Sequence, residues 1–114
     1  MPLTRDFKET VTADLRRDRA YRAAYLAEAI ESMYSGEVPV GKRMLRQYIN
    51  GTLGFDALSM VVGSPATVLM RALSDNGNPR VDKLFDILGR LLRVDRVKIR
   101  VVPAAKSRRQ PKGS

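Results

Sequence analysis

Apolar residues recur with a helical period along most of this chain, and a strand period occurs once, near the C-terminus. Leu3, Phe7, Val11 and Leu15 are spaced four apart and form a narrow apolar stripe. Asp6 is placed to cap this first helix, with Glu9 three residues later in the manner of a capping box. Asp18 is placed to cap a second helix that runs to about Ser35 and ends at Gly36. Its apolar face is Tyr21, Tyr25, Leu26, Ala29, Ile30 and Met33, and Tyr21, Tyr25 and Tyr34 are expected in the core or at its boundary. A third helix is predicted from about Pro39 to Asn50, with Val40, Met44, Leu45, Tyr48 and Ile49 inward and Gly51 as its stop. Two short helices follow, divided at Gly63-Ser64. The run Ser74-Asp75-Asn76-Gly77-Asn78-Pro79 is a dense turn signal. Asn78 is expected to cap, and Pro79 to open, a last helix reaching about Arg93. Its inward positions are Val81, Leu84, Phe85, Leu88, Leu91 and Leu92.

From Arg96 to Val102 the period changes to two: Val97, Ile99 and Val101 alternate with Arg96, Lys98 and Arg100. A lone strand leaves its backbone groups unpaired, and its simplest partner is its own copy in a second subunit. Val97, Ile99 and Val101, with Leu91 and Leu92 behind them, are therefore the expected dimer residues. The predicted fold class is mainly α. It comprises five to six helices, including the N-terminal ones, and one C-terminal β-strand paired across a dimer. The expected organisation is an N-terminal helical extension over 1–38, a main helical domain with its dimer strand over 39–102, and a basic disordered tail over 103–114.

Composition narrows the chemistry. The chain has 114 residues and no His, Cys or Trp. Disulfides are impossible, and the usual ligands of zinc and haem are missing. Catalysis by Ser-His-Asp or Cys-His sets is excluded on the same count. Asp56, Asp75, Asp82 and Asp86 fall at helix ends and exposed positions without the pairing that acid-base catalysis needs, so neither an enzyme nor a cofactor is expected. No signal peptide or membrane-length apolar run is visible, which points to the cytoplasm.

The net charge of +9 favours a polyanionic partner. It is unevenly spread: residues 1–40 carry six basic and seven acidic side chains, whereas residues 41–93 carry eight basic and four acidic. Residues 94–102 contribute a further +2, and the segment from Pro103 to Ser114 contributes +4 with no acid.

Within the basic part, residues 55–73 have helix-turn-helix spacing. Leu58 and Val62 share a face, Ser59 is small where two helices must approach, and Gly63 suits a left-handed turn. Ser64 is placed to cap the second helix and Pro65 to occupy its first turn. Val68, Leu69 and Ala72 are expected inward, leaving Pro65, Ala66, Thr67, Met70 and Arg71 on the outer surface. In this motif the second helix enters the major groove. Thr67 can contact a base, a phosphate or a thymine methyl, and Arg71 can bind guanine or a phosphate. Ser64 and the helix N-terminus can receive a phosphate, while Lys42, Arg43, Arg46, Arg80 and Lys83 are candidates for backbone neutralisation. Exposed stacking aromatics, the usual sign of an RNA module, are not expected here, since Phe55 and Phe85 read as buried.

Several separated segments resemble the addiction-module antidote family, small helix-turn-helix antitoxins encoded beside RelE- or HigB-like toxins. They are Leu3 to Val11, Leu45 to Phe55, Ser64-Pro65 leading into Leu69-Met70-Arg71, and Gly77-Asn78-Pro79 before Leu84-Phe85. The resemblance covers most of residues 3–102. It implies an all-helical repressor-like protein that binds its own promoter and often a toxin. The expectation is thus a dimeric, sequence-specific repressor acting on an operator in double-stranded DNA, with a RelE/HigB-like toxin as a further partner. A toxin-neutralising module with little DNA specificity, whose surface is the charge-balanced N-terminal third, and a stand-alone regulator in a mobile element are the alternatives.

Overall fold

The computed structural model of the protein describes residues 3–105. It contains helices α1 (Leu3–Arg17), α2 (Arg19–Tyr34), α3 (Val38–Gly51), α4 (Gly54–Val62), α5 (Ala66–Ala72) and α6 (Val81–Val94). Among the described residues no strand forms, so the chain is mainly helical.

Local chemistry accounts for most boundaries. Asp18 caps α2 as expected: its carboxylate accepts a hydrogen bond from the Tyr21 amide at 3.1 Å. Gly36, with φ +94°, turns the chain after α2. α1 begins at Leu3, so Asp6 lies inside the helix and is not its N-cap, contrary to the capping-box expectation. Gly51 likewise belongs to α3 and is no stop. A Cβ there would stand 2.8 Å from Leu15 Cδ1, so this glycine serves the close approach of α1 to α3. The Thr52 hydroxyl covers the end of α3 by donating to the Tyr48 carbonyl at 2.7 Å. α6 starts at Val81 with Arg80 as its N-cap, not at Asn78-Pro79; the extended backbone persists through Arg80 (φ −65°, ψ 152°).

One core joins all six helices. α1 supplies Val11 and Leu15, α2 supplies Leu26 and Ala29, and α3 supplies Leu45, Tyr48 and Ile49. Phe55 and Leu58 of α4, Leu69 of α5, and Ile87, Leu88 and Leu91 of α6 complete it with Leu73. Each of the Val, Leu, Ile and Phe side chains contributes about 1.5–3 kcal/mol relative to exposure. α1 and α2 pack on each other and both pack on α3, which docks the N-terminal pair on the remainder. Tyr21 and Tyr25 sit at the boundary, their ring centroids 5.9 Å apart. Burial raises the pKa of both phenols, helped at Tyr21 by the negative charges of Asp14 and Glu28, and at Tyr25 by Tyr21 and then Glu28.

Several positions read as inward are exposed: Phe7, Tyr34, Val68, Val81 and Phe85. Each lies at the edge or end of an apolar stripe, where the period counts a residue as inward although no second element covers it. Ile87, absent from the inward set read for α6, is fully buried. The side chain of Leu3 and residues 106–114 of the basic tail lie outside the described residues.

α6 ends at a residue the sequence gives no reason to suspect. Arg96 has φ +57°, in the left-handed region normally given to glycine. Its amide donates to the Arg93 carbonyl at 3.2 Å, and the Val97 amide donates to the Leu92 carbonyl at 2.8 Å. This is the Schellman pattern, completed without a glycine. Residues 97–105 then run outside any helix, with Ile99, Val101 and Val102 exposed.

Candidate nucleic-acid interface

α4, a three-residue connection and α5 form a helix-turn-helix-like corner. Gly63 has φ +82°, ψ 25°, and its amide donates to the Ser59 carbonyl at 2.8 Å, closing α4. Any other residue would be strained there. Pro65 is the N-cap of α5, and its carbonyl accepts from the amides of Val68 and Leu69 at 3.0 and 3.1 Å. The extended backbone of Pro65 (φ −59°, ψ 145°) delays the helix by one residue relative to the expected start. Leu58 on α4 and Leu69 on α5 are both fully buried and seal the corner from inside.

The outer face of α5 agrees with the pattern at most positions. Pro65, Thr67, Met70 and Arg71 are exposed, Ala66 is half-buried, and Val68, expected inward, is exposed beside them. Ser64 does not cap α5. Its hydroxyl instead accepts a hydrogen bond from the Lys83 ammonium at 2.6 Å, which ties the turn to α6.

The basic residues divide into two groups. Arg43 and Arg80 are exposed, Arg80 with an exposed ion pair to Asp82 at 3.3 Å. Lys42, by contrast, is only 6% exposed. Its ammonium donates to the carbonyls of Gly77 at 2.6 Å and Asp75 at 3.4 Å. Arg46 donates to the Leu73 carbonyl at 2.6 Å and pairs with Asp75 at 3.2 Å. Lys42 and Arg46 therefore hold the loop between α5 and α6, and the buried ammonium of Lys42 is removed from the set that can neutralise phosphates. Helical periodicity places both on α3 and gives no hint of the loop carbonyls that receive them. Cations brace both ends of α5: Lys83 at the turn before it and Arg46 at the residue after it.

The expected dimer residues are similarly divided. Leu91 is fully buried in the core, so it is not available to a second subunit. Leu92 and Val97 are half-buried, whereas Ile99 and Val101 are exposed. Sequence reasoning missed the exposed apolar residues Met60 and Val61 on α4, which carry no periodic signal of exposure because α4 is apolar almost throughout.

Among the described residues no cluster of His, Cys, Asp or Glu could hold a metal ion. No described helix is long and apolar enough to cross a membrane. Comparison with models of known families, with curated proteins and with solved structures finds no match.

Proposed function

We propose that this protein is a sequence-specific transcriptional repressor that binds double-stranded DNA as a homodimer. The observation that carries the reading is the α4–α5 corner. Two short helices turn at left-handed Gly63, and the second offers Thr67, Met70 and Arg71 to solvent. A short helix with this exposed face matches the way such corners enter a major groove, with Arg71 and Thr67 reading base edges. Arg43 and Arg80, with Lys83 on its Ser64 tether, supply positive charge for the DNA backbone. Segment 96–102, alternating apolar and basic, pairs with its copy to form the strand contact of the dimer.

On this reading the protein works in the cytoplasm and represses its own operon, and a small RelE- or HigB-like toxin encoded beside it is the natural partner. The charge-balanced N-terminal third is then the surface that meets the toxin. A mobility-shift titration on the protein's own upstream DNA, repeated over a salt series, tests the central claim. A specific complex that weakens steeply with salt is expected, because bound cations displace condensed counterions. Equal affinity for random DNA would overturn it.

A further inference from the structure

We infer that one edge of α6 is a self-association surface on which a second copy of this chain packs its own α6 antiparallel. The inference rests on the homodimer proposed above and assigns it a helix contact and a register.

Three observations on α6 converge. First, Val81 and Phe85 are 71% and 65% exposed, four residues apart on one edge of a helix whose Ile87, Leu88 and Leu91 are in the core. No described element of the chain covers most of Phe85. Second, Gly89 lies four residues after Phe85 on the same side. Glycine weakens a helix interior, and two of the helical glycines repay that cost internally: a Cβ on Gly41 would come within 2.8 Å of the Ala29 carbonyl, and one on Gly51 within 2.8 Å of Leu15 Cδ1. A Cβ on Gly89 would meet only Arg93 NH1, at 3.8 Å. No intrachain contact therefore requires this glycine, and its bare backbone leaves room for a large side chain arriving from outside. Third, the flank beside this edge carries Asp82 and Asp86 toward the N-terminal end and Arg93 at the C-terminal end. Such a flank complements itself only when two copies run in opposite directions.

The three features share one register. With a two-fold axis crossing this edge between Phe85 and Gly89, at the height of residue 87 along the helix, Phe85 of each copy covers Gly89 of the other, and Asp82 of each stands beside Arg93 of the other. The intrachain pair that Asp82 exchanges for this, with Arg80 at 3.3 Å, is exposed on both sides and weak. Small residues opposite large ones allow the close approach that helix packing needs.

Sedimentation equilibrium on the full chain tests the surface with single variants and their mixture. The Phe85→Glu variant, altered at an exposed position, keeps its helical circular dichroism and raises the dimer dissociation constant by more than about tenfold. Arg93→Glu and Asp82→Lys each place like charges opposite one another in a homodimer and weaken it. An equimolar mixture of the two restores association, because each pair is then Asp with Arg or Lys with Glu. Recovery on mixing supports the antiparallel register. Failure to recover, an unchanged constant for Phe85→Glu, or a wild-type chain that stays monomeric overturns it, and the last result would leave the edge for a different protein. An Ile99→Asp variant separates this contact from pairing through 96–102. If it alone abolishes dimerisation while Phe85→Glu does not, the strand contact stands and the helix contact falls. Failure of DNA specificity, with the mixture still recovering, would overturn the repressor reading and not this one.

Discussion

Arg22 Nε lies 3.0 Å from Asp95 Oδ1, joining residues 73 apart in sequence. Asp95 is 8% exposed and fully engaged. Its other carboxylate oxygen accepts the Tyr48 hydroxyl, and its carbonyl accepts from Arg19 at 2.9 Å. Arg22 also donates to the Leu15 carbonyl at 3.0 Å. A single carboxylate after α6 thus gathers the start of α2 and the last turn of α3, and through Arg22 the end of α1. It fixes the point from which residues 97–105 depart, so the N-terminal helices and the proposed dimer segment share one anchor.

Asp95→Ala should lose about 3 kcal/mol of stability in urea unfolding, the lower end of the range for removing one partner of a buried ion pair, because Arg22 is partly reached by water. Arg22→Ala should cost less than Asp95→Ala, since it leaves Asp95 with the Tyr48 hydroxyl. Equal and small effects from both would show that the cluster does not hold the helices together.

The Tyr48 phenol should give the fold a measurable alkaline limit. Burial raises its pKa well above the ordinary 10.0, and its hydrogen bond to Asp95 and that group's charge add to the rise, with Arg22 opposing. The folded chain therefore keeps this proton more tightly than the unfolded chain. The resulting stabilisation is complete below pH 10 and declines as the pH climbs beyond 10, where the unfolded phenol ionises first. Thermal melts between about pH 8 and pH 11 should show the decline, and Tyr48→Phe should flatten it. The same variant should lose about 1.5–3 kcal/mol at neutral pH through the hydrogen bond to a charged acceptor.

How far the sequence speaks for this molecule depends on the kind of cause involved. Local causes are legible. The Asp18 cap, the left-handed turns at Gly36 and Gly63, and the inward period of α3 all follow from residues within one helical turn of each other. Distant causes are not. Nothing near Asp95 signals Arg22 or Tyr48, and nothing near Lys42 signals the carbonyl of Gly77. The same limit governs the candidate interface. The α4–α5 corner and its outward residues were readable, but Lys42 was not separable from Arg43 until the loop that claims its ammonium was in place. Edge positions such as Phe85 obey the apolar period and fail only because no neighbouring element covers them.

Arg96 should be improved by glycine. Its φ of +57° is costly for a residue with a Cβ, and the Schellman closure after α6 needs only backbone groups. Arg96→Gly should stabilise the chain by about 0.5–1 kcal/mol in denaturant unfolding, net of the entropy glycine adds to the unfolded state. A loss of stability would mean that the Arg96 side chain holds the turn.

Lys42 and Arg43 are neighbours with opposite expected phenotypes. Lys42→Ala strands the Gly77 carbonyl and should cost about 1–3 kcal/mol of stability, as for a buried polar group left without its partner. Arg43→Ala should leave the melting temperature nearly unchanged and, if Arg43 meets a phosphate, lower the slope of log affinity against log salt by about one. Reversal of the two phenotypes, measured by unfolding and by DNA titration on the same preparations, would contradict the division of the basic residues.

Arg71 is the sharpest test of DNA reading, because it is the one charged side chain on α5 and is exposed there. If it meets a base edge, Arg71→Ala should weaken the operator complex by about 1–3 kcal/mol and relax the preference at a single base position in each half-site. If it meets only a phosphate, the loss should be uniform across sequences and should shrink as salt is raised. Thr67→Ala probes the same helix about one turn earlier and should alter a different base position, since residues four apart share a face of the helix and meet the groove at successive depths. Competition titrations against operators altered one base pair at a time distinguish these outcomes. Unchanged affinity and preference in both variants would remove α5 from the DNA and, with it, the claim that the α4–α5 corner is the reading element.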